Sequence, residues 1–156
     1  MEANKEMQGD QYKNFLIMLG ISFVIMYAVM FLNVDEAGHI YLSLTRFYIA
    51  LLMVSPMALL MLILMNKMYR NKKLNIVISL TAITAFVIAL FFLRTQTLVK
   101  DIQYMKAMIP HHSSAILTSK QAKIEDPKVK KLSEEIIESQ EREIEEMKQI
   151  LKRMEK

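Results

Sequence analysis

The chain contains no cysteine, and only three of its 156 residues are histidine. Disulfides and thiolate metal sites are thereby excluded, and cysteine usage says nothing about the compartment. A soft metal ion would have to be held by histidine or methionine, and methionine is abundant, at 14 residues. Catalytic signatures are also missing. There is no HExxH, no Walker loop, no nucleophile elbow and no Cys-His arrangement, so no enzyme is expected. Charge is sparse in the first 95 residues, which hold nearly all the long apolar runs, and dense in the remainder. That segregation reads as a membrane domain over residues 1–94 and a polar domain over residues 95–156. The net charge of +4 sits largely beside the apolar runs, so membrane topology accounts for it and no nucleic acid is expected as a partner.

Phe15–Leu32, Phe47–Met65 and Ile76–Leu93 carry no charged residue. At ~1.5 Å per residue each is close to the ~30 Å of a bilayer's hydrocarbon core, so three transmembrane helices in lipid are expected. Pro56 lies inside the second and predicts a kink rather than a break, because it removes one helical hydrogen bond. The connections differ in charge. Residues 66–75 carry Lys67, Arg70, Lys72 and Lys73 and no acid, whereas residues 33–43 carry Asp35, Glu36 and His39 and no lysine or arginine. The excess of positive charge on cytoplasmic loops predicts a cytoplasmic 66–75 loop and N-terminus, and an extracytoplasmic C-terminal domain.

Beyond Thr95, Leu98, Ile102, Met105, Ile109, His112 and Ile116 recur at alternating steps of four and three, one stripe of a helix continuous with or jointed to the third span. Pro110 predicts a kink or a fresh turn within it. Glu125-Asp126-Pro127 reads as turn, N-cap and first helical residue. A second helix then runs to about Met154. Its stripe is Ile137, Gln140, Ile144, Met147, Leu151 and Met154, with Val129, Leu132 and Ile136 beside it. Two helices and a short turn predict an antiparallel hairpin, in which positions whose numbers sum to roughly 252 face each other. That sets Met105 near Met147, Met108 near Glu143 or Ile144, and His112 near Gln140. A lone hairpin buries little, so a homodimer forming a four-helix bundle, or docking onto the membrane helices, is expected.

The chemistry-bearing residues cluster in this hairpin. Met108 lies three residues before His111 and four before His112, and Met105 one turn earlier, while Gln140, Glu143 and Met147 are neighbours on the second helix. Thioether and imidazole without thiolate suit Cu(I), and histidine with carboxylate suits Cu(II). His111 and His112 point about 100° apart on a helix, so one ion is not expected to take both. The same residues have a plainer reading. Methionine stripes pack cores, a seam histidine is commonly hydrogen-bonded, and Gln140 amid Ile and Met can fix a bundle's register.

The string Met108-Ile-Pro-His-His112, with Asp101-x-x-Tyr104 before it and Ile136-Ile-x-x-Gln140-x-x-Glu143-Ile-x-x-Met147 after it, resembles a bacterial family of uncharacterised ferritin-like domains. Its hallmark is Met-Ile-Pro-His-His, and some members are linked to copper resistance. The resemblance covers about Asp101–Leu151. It implies half of a ferritin-like four-helix bundle, a dimer, a bacterial plasma membrane location, and Met108, His111, His112 and Met147 as copper ligands. Tyr104 stands where the family usually has Phe, and Ser113-Ser114 where Gln or Glu followed by Gly is commoner. The Glu-x-x-His pairs that iron-oxidising bundles use are absent.

Met53, Met57, Met61 and Met65 repeat every four residues along the second span. Such a ladder could conduct Cu(I), although a four-residue step drifts about 40° around a helix each time. The expected function is therefore extracytoplasmic copper binding, for sequestration or handover, by a membrane-anchored protein. The alternatives are a metal-free oligomerisation module and a small copper channel.

Overall fold

The computed structural model describes the backbone of residues 2–155 and the side chains of residues 9–155. Within them the chain is all-helical: α1 Glu2–Val29, α2 Leu44–Leu64, α3 Lys72–Thr95, α4 Asp101–Gln121 and α5 Pro127–Met154, with a 3-10 turn at Ala37–His39 between α1 and α2. It divides into two compact units, Met1–Val29 with Phe47–Thr97, and Met30–Arg46 with Leu98–Lys156.

The first unit holds three helices long and apolar enough to cross a membrane, Gly9–Val29, Leu44–Leu64 and Lys72–Thr95. Only 11% of the most apolar window is buried in the first and third, and 28% in the second, so most of their apolar surface is left uncovered by the described residues. The first begins before Phe15, since the helix runs through Asp10 and Lys13, and it ends at Val29, leaving Phe31 and Leu32 in the following segment. Tyr12, Phe15, Ala58, Leu62, Tyr69 and Ala82 form the unit's core. Tyr12 donates to Asn75 Oδ1 at 2.6 Å and accepts from the Asn71 amide at 3.1 Å, tying α1 to the basic 66–75 turn. Asn71 caps α3, its side chain accepting from the amides of Lys73 and Leu74. α2 continues unbroken through Pro56.

α3 and α4 are separate helices. Gln96 (φ 50°) and Leu98 (φ 64°) adopt left-handed backbone conformations, and the amides of Gln96 and Thr97 both donate to Phe92 O, closing the end of α3. Leu98, expected on the buried stripe, consequently lies outside α4 and is 68% exposed. The rest of that stripe is inside: Met105, Ile109, His112 and Ile116 are buried, and Ile102 packs against them. α4 passes through Pro110 without interruption. Proline has no N–H, so the Lys106 carbonyl lacks its usual helical donor there.

α5 begins as its sequence predicts. Asp126 caps it, accepting from Lys128 N at 2.8 Å and Val129 N at 3.0 Å, and Pro127 opens the first turn. Contacts between α4 and α5 run in opposite order: Lys106 pairs with Glu155 at 2.7 Å, His112 lies 3.3 Å from Glu143, and Ser133 donates to Ser119 O at 3.3 Å. His112 thus faces Glu143, about one turn from the expected Gln140, which is half-buried. Ile144 and Leu151 complete the core with Met105, Ile109 and Ile116, whereas Met154 at the helix end is 40% exposed.

Residues 30–46 do not group with the membrane helices, as a boundary at residue 95 would have them, but pack on α4. Arg46 spans this segment, donating to Met30 O at the end of α1 and lying 4.3 Å above the Phe31 ring.

Candidate functional site

Two polar constellations lie in the second unit, on different elements. The first sits in the α4–α5 seam. His112 is 8% exposed because the helical period turns it towards α5 between Met105, Ile109 and Ile116. Its Nδ1 is 3.3 Å from Glu143 Oε2, but the angle is not that of a hydrogen bond, and the buried nitrogen has no hydrogen-bond partner among the described residues. Glu143 is held from its other oxygen by Ser139, at 2.8 Å. Burial lowers the His112 pKa below the ordinary histidine value. The positive character of His111 acts in the same direction, and the Glu143 carboxylate opposes both. The lowered pKa favours the neutral imidazole, the protonation form that binds a metal.

The other predicted ligands divide. Met105 is buried and Met147 packs against the same aliphatic core. Met108, one turn before His112 on α4, is half-buried, as is Gln140 on α5. His111 is exposed and turned away from the seam. Its ring centroid is 6.0 Å from that of His112, and it lines a shallow surface depression with Ala115 and Ile136. No three His, Asp or Glu side chains converge as a metal-binding group among the described residues. The seam thus offers one imidazole and one carboxylate, with Met108 one helical turn from His112 on α4. This donor set fits a soft ion only with thioether participation.

The second constellation was not legible in the sequence. Ser113, fully buried on α4, accepts from the Asp35 amide at 2.7 Å and contacts His39 Nδ1 at 2.9 Å. The direction of the Ser113–His39 bond is set by the imidazole tautomer, and His39 Nε2 lies 3.6 Å from Glu36. Asn33 donates to Ser114 Oγ at 2.8 Å, Lys120 bridges Asp35 (2.9 Å) and Glu141 (3.2 Å), and the Leu44 amide donates to Gln103 at 3.0 Å. Ser113 and Ser114 both therefore hold the 30–46 segment. A cavity of about 180 Å³ beside this latch is lined by Asp35, Glu36, His39, Glu141, Glu145 and Lys148. Burial also lowers the His39 pKa, helped by Lys148 and Lys120 against Glu36 and Asp35. The only cue in the sequence was an acidic, lysine-free loop carrying a histidine, and nothing in it pointed to a partner 74 residues away.

The methionines of α2 do not form one lining. Met53 and Met65 are exposed at 38% and 41%, Met61 packs against the core, and Met65 lies past the helix end. The four-residue step has carried them around the helix. A cavity of about 300 Å³ in this unit is bounded by aliphatic and small residues, among them Leu16, Leu51, Val54, Thr81 and Ala85, and by no methionine.

Residues 93–156 match a protein family described as a domain of unknown function, DUF305, a stretch that contains all of Asp101–Leu151. The chain is also 41% identical over 139 residues to an uncharacterized protein of Acanthamoeba polyphaga mimivirus, covering 87% of this chain and 90% of the viral one. That alignment is longer than the C-terminal match, so the likeness extends into the membrane helices. No solved structure matches.

Proposed function

The chain belongs to the family of this mimivirus protein, and from that premise and the geometry of the α4–α5 seam we propose that it is a membrane-anchored copper-binding protein. It binds rather than transforms its ligand, and sequesters Cu(I) or hands it on. The observation that carries the reading is the buried His112 Nδ1 without a hydrogen-bond partner, beside Glu143 and one helical turn from Met108. A buried polar atom left unpaired is costly, by about 1–3 kcal/mol, and ligation would remove that cost. Copper, when bound, supplies the acceptor for that lone pair. His112 and the Met108 thioether would hold it, with Glu143 contributing charge. His111 and Met147 are left to other roles.

Orientation follows from the loop charges. The basic 66–75 turn is cytoplasmic, and three spans put residues 30–46 and everything after α3 together on the other side. The packing of 30–46 on α4 within one unit agrees with this. α4 and α5 are read as an antiparallel hairpin, half of a ferritin-like four-helix bundle.

The test is Cu(I) titration of the full chain in detergent micelles, in competition with a chelator. Binding that His112→Ala and Met108→Ala each abolish is expected. At free copper 100 times Kd it should raise stability by about 2.7 kcal/mol. A chain that takes no copper from the chelator, with an unchanged melting temperature, would end this reading.

A second reading, an oligomerisation module, is favoured by the exposure of Val129 (49%), Leu132 (54%) and Ile136 (36%) along one flank of α5.

A further inference from the structure

We propose that the basic end of the first unit binds one anionic phospholipid, its headgroup on Lys13 and Lys73 and one acyl chain in the cavity between α1, α2 and α3. The inference rests on the three apolar helices spanning a bilayer and is independent of copper.

Cations gather at one end of this unit. Lys13 stands on α1, Lys67 and Arg70 in the turn after α2, and Lys72 and Lys73 open α3. The Tyr12 hydroxyl bonds to Asn71 and Asn75, so Lys13 is held at the same end as the turn. All of these cations are exposed. Asp10 is the unit's one acid among the described side chains, and no ion pair joins a carboxylate to any of the cations among the described residues. Their charge is therefore left for something outside the chain.

One turn further along the helices, the cavity of about 300 Å³ begins. Its floor includes Ser55, Ala58 and Ala82, all buried, and its mouth is marked by Leu16 and Val77, exposed at 59% and 58%. The cavity thus opens sideways, between α1 and α3. Lys13 precedes Leu16 by three residues and Lys73 precedes Val77 by four, so on each helix a cation shares a face with the mouth residue one turn away. From Val77 to Ala85 the cavity follows α3 for ~12 Å, less than half of a ~30 Å hydrocarbon core. Charge and shape together select the occupant. The rim suits phosphate oxygens at the bilayer surface. The cavity suits a single acyl chain, which gains there the dispersion contacts that an unfilled cavity forfeits. A soluble phosphate satisfies only the rim. A zwitterionic lipid brings its own cation to the rim and offsets the attraction.

The experiment is native mass spectrometry of the full chain, released from micelles doped with equal amounts of phosphatidylglycerol and phosphatidylcholine of the same acyl chains. A copper chelator is present throughout, so that a failure of copper binding leaves the result untouched. The chain should retain one phosphatidylglycerol, favoured over phosphatidylcholine by about tenfold or more. K13Q/K73Q should remove the preference and K13R/K73R should keep it. R94Q/K100Q takes the same charge from residues at and after the far end of α3, and should leave the preference within about twofold. Thr81→Phe fills the cavity without touching the cations and should cut retention of the lipid severalfold. Val87→Phe, exposed on α3 but outside the cavity lining, should not. Glycerol 3-phosphate, which carries the phosphate without the chains, should not displace the lipid. Equal retention of the two lipids, K13Q/K73Q without effect, R94Q/K100Q falling as far as K13Q/K73Q, or Thr81→Phe losing no more lipid than Val87→Phe would each overturn the proposal. Displacement by glycerol 3-phosphate, or a dimer that carries no lipid, would overturn it too.

Discussion

Replacing Ser113 by alanine should release the 30–46 segment from α4. The Ser113 hydroxyl is fully buried and serves the part-buried Asp35 amide at 2.7 Å and the buried His39 Nδ1 at 2.9 Å. Alanine favours the helix and leaves only a small void, so α4 itself persists. What changes is that a backbone donor and an imidazole nitrogen lose their shared partner. At about 1–3 kcal/mol for a buried group left unsatisfied, and less for the part-buried amide, the docked segment should lose roughly 2–4 kcal/mol. At ~1.4 kcal/mol per factor of ten, that is a rise of about 30- to 700-fold in its opening equilibrium. Amide hydrogen exchange, followed by mass spectrometry on peptides from residues 30–46 in micelles, reads this directly. Asn33→Ala is the internal comparison: its bond to Ser114 is exposed, and its loss should matter by less than about 1 kcal/mol. Exchange that speeds up no more in Ser113→Ala than in Asn33→Ala would refute the claim that this hydroxyl carries the latch.

The same segment should respond to acid. His39 when docked has a pKa below the ordinary value of 6.5, chiefly through burial, whereas the released segment titrates at the ordinary value, so the released form binds more protons between the two. Docking is therefore complete above about pH 6.5 and weakens as pH falls towards the lowered docked value. Opening rates corrected for intrinsic exchange should show this trend, and His39→Gln should flatten it. At the other end of the pair, Asp126→Ala removes two capping bonds to the amides of Lys128 and Val129. It should destabilise α5 by about 1 kcal/mol, seen as faster exchange in its first turn, whereas Asp126→Asn should keep most of the capping and change exchange little.

The parts of the fold that were legible are those written in local pattern. Uncharged runs of helical length marked three spans, and Asp126-Pro127 marked the start of α5 because capping is decided within four residues. The stripe from Ile102 to Ile116 survived, since burial follows the helical period, and failed only at Leu98, where the left-handed backbone at Gln96 and Leu98 had already ended α3. The opposite register of α4 and α5 was readable to within a turn, which is why His112 meets Glu143 rather than Gln140. The latch was not readable. Asn33, Asp35 and His39 meet Ser113 and Ser114 across 74 to 81 residues, and no periodicity links a loop to a helix it reaches only after two further membrane helices. Ser113-Ser114 stood out as a departure from the family's pattern, but a departure does not name its partner.

The separation of the latch residues also orders the events of synthesis. His39 is made 74 residues before Ser113, with α2 and α3 between them. At ~5–20 residues per second the segment waits roughly 4–15 s for its partner. On the proposed topology both following helices must enter the bilayer with the right sense during that interval, because a missed insertion would leave Ser113 on the wrong side. The closed latch is thus a record of completed insertion. A defect deep in α2 or α3 would be reported at residue 39, far from the lesion, as an imidazole titrating like one in free solution.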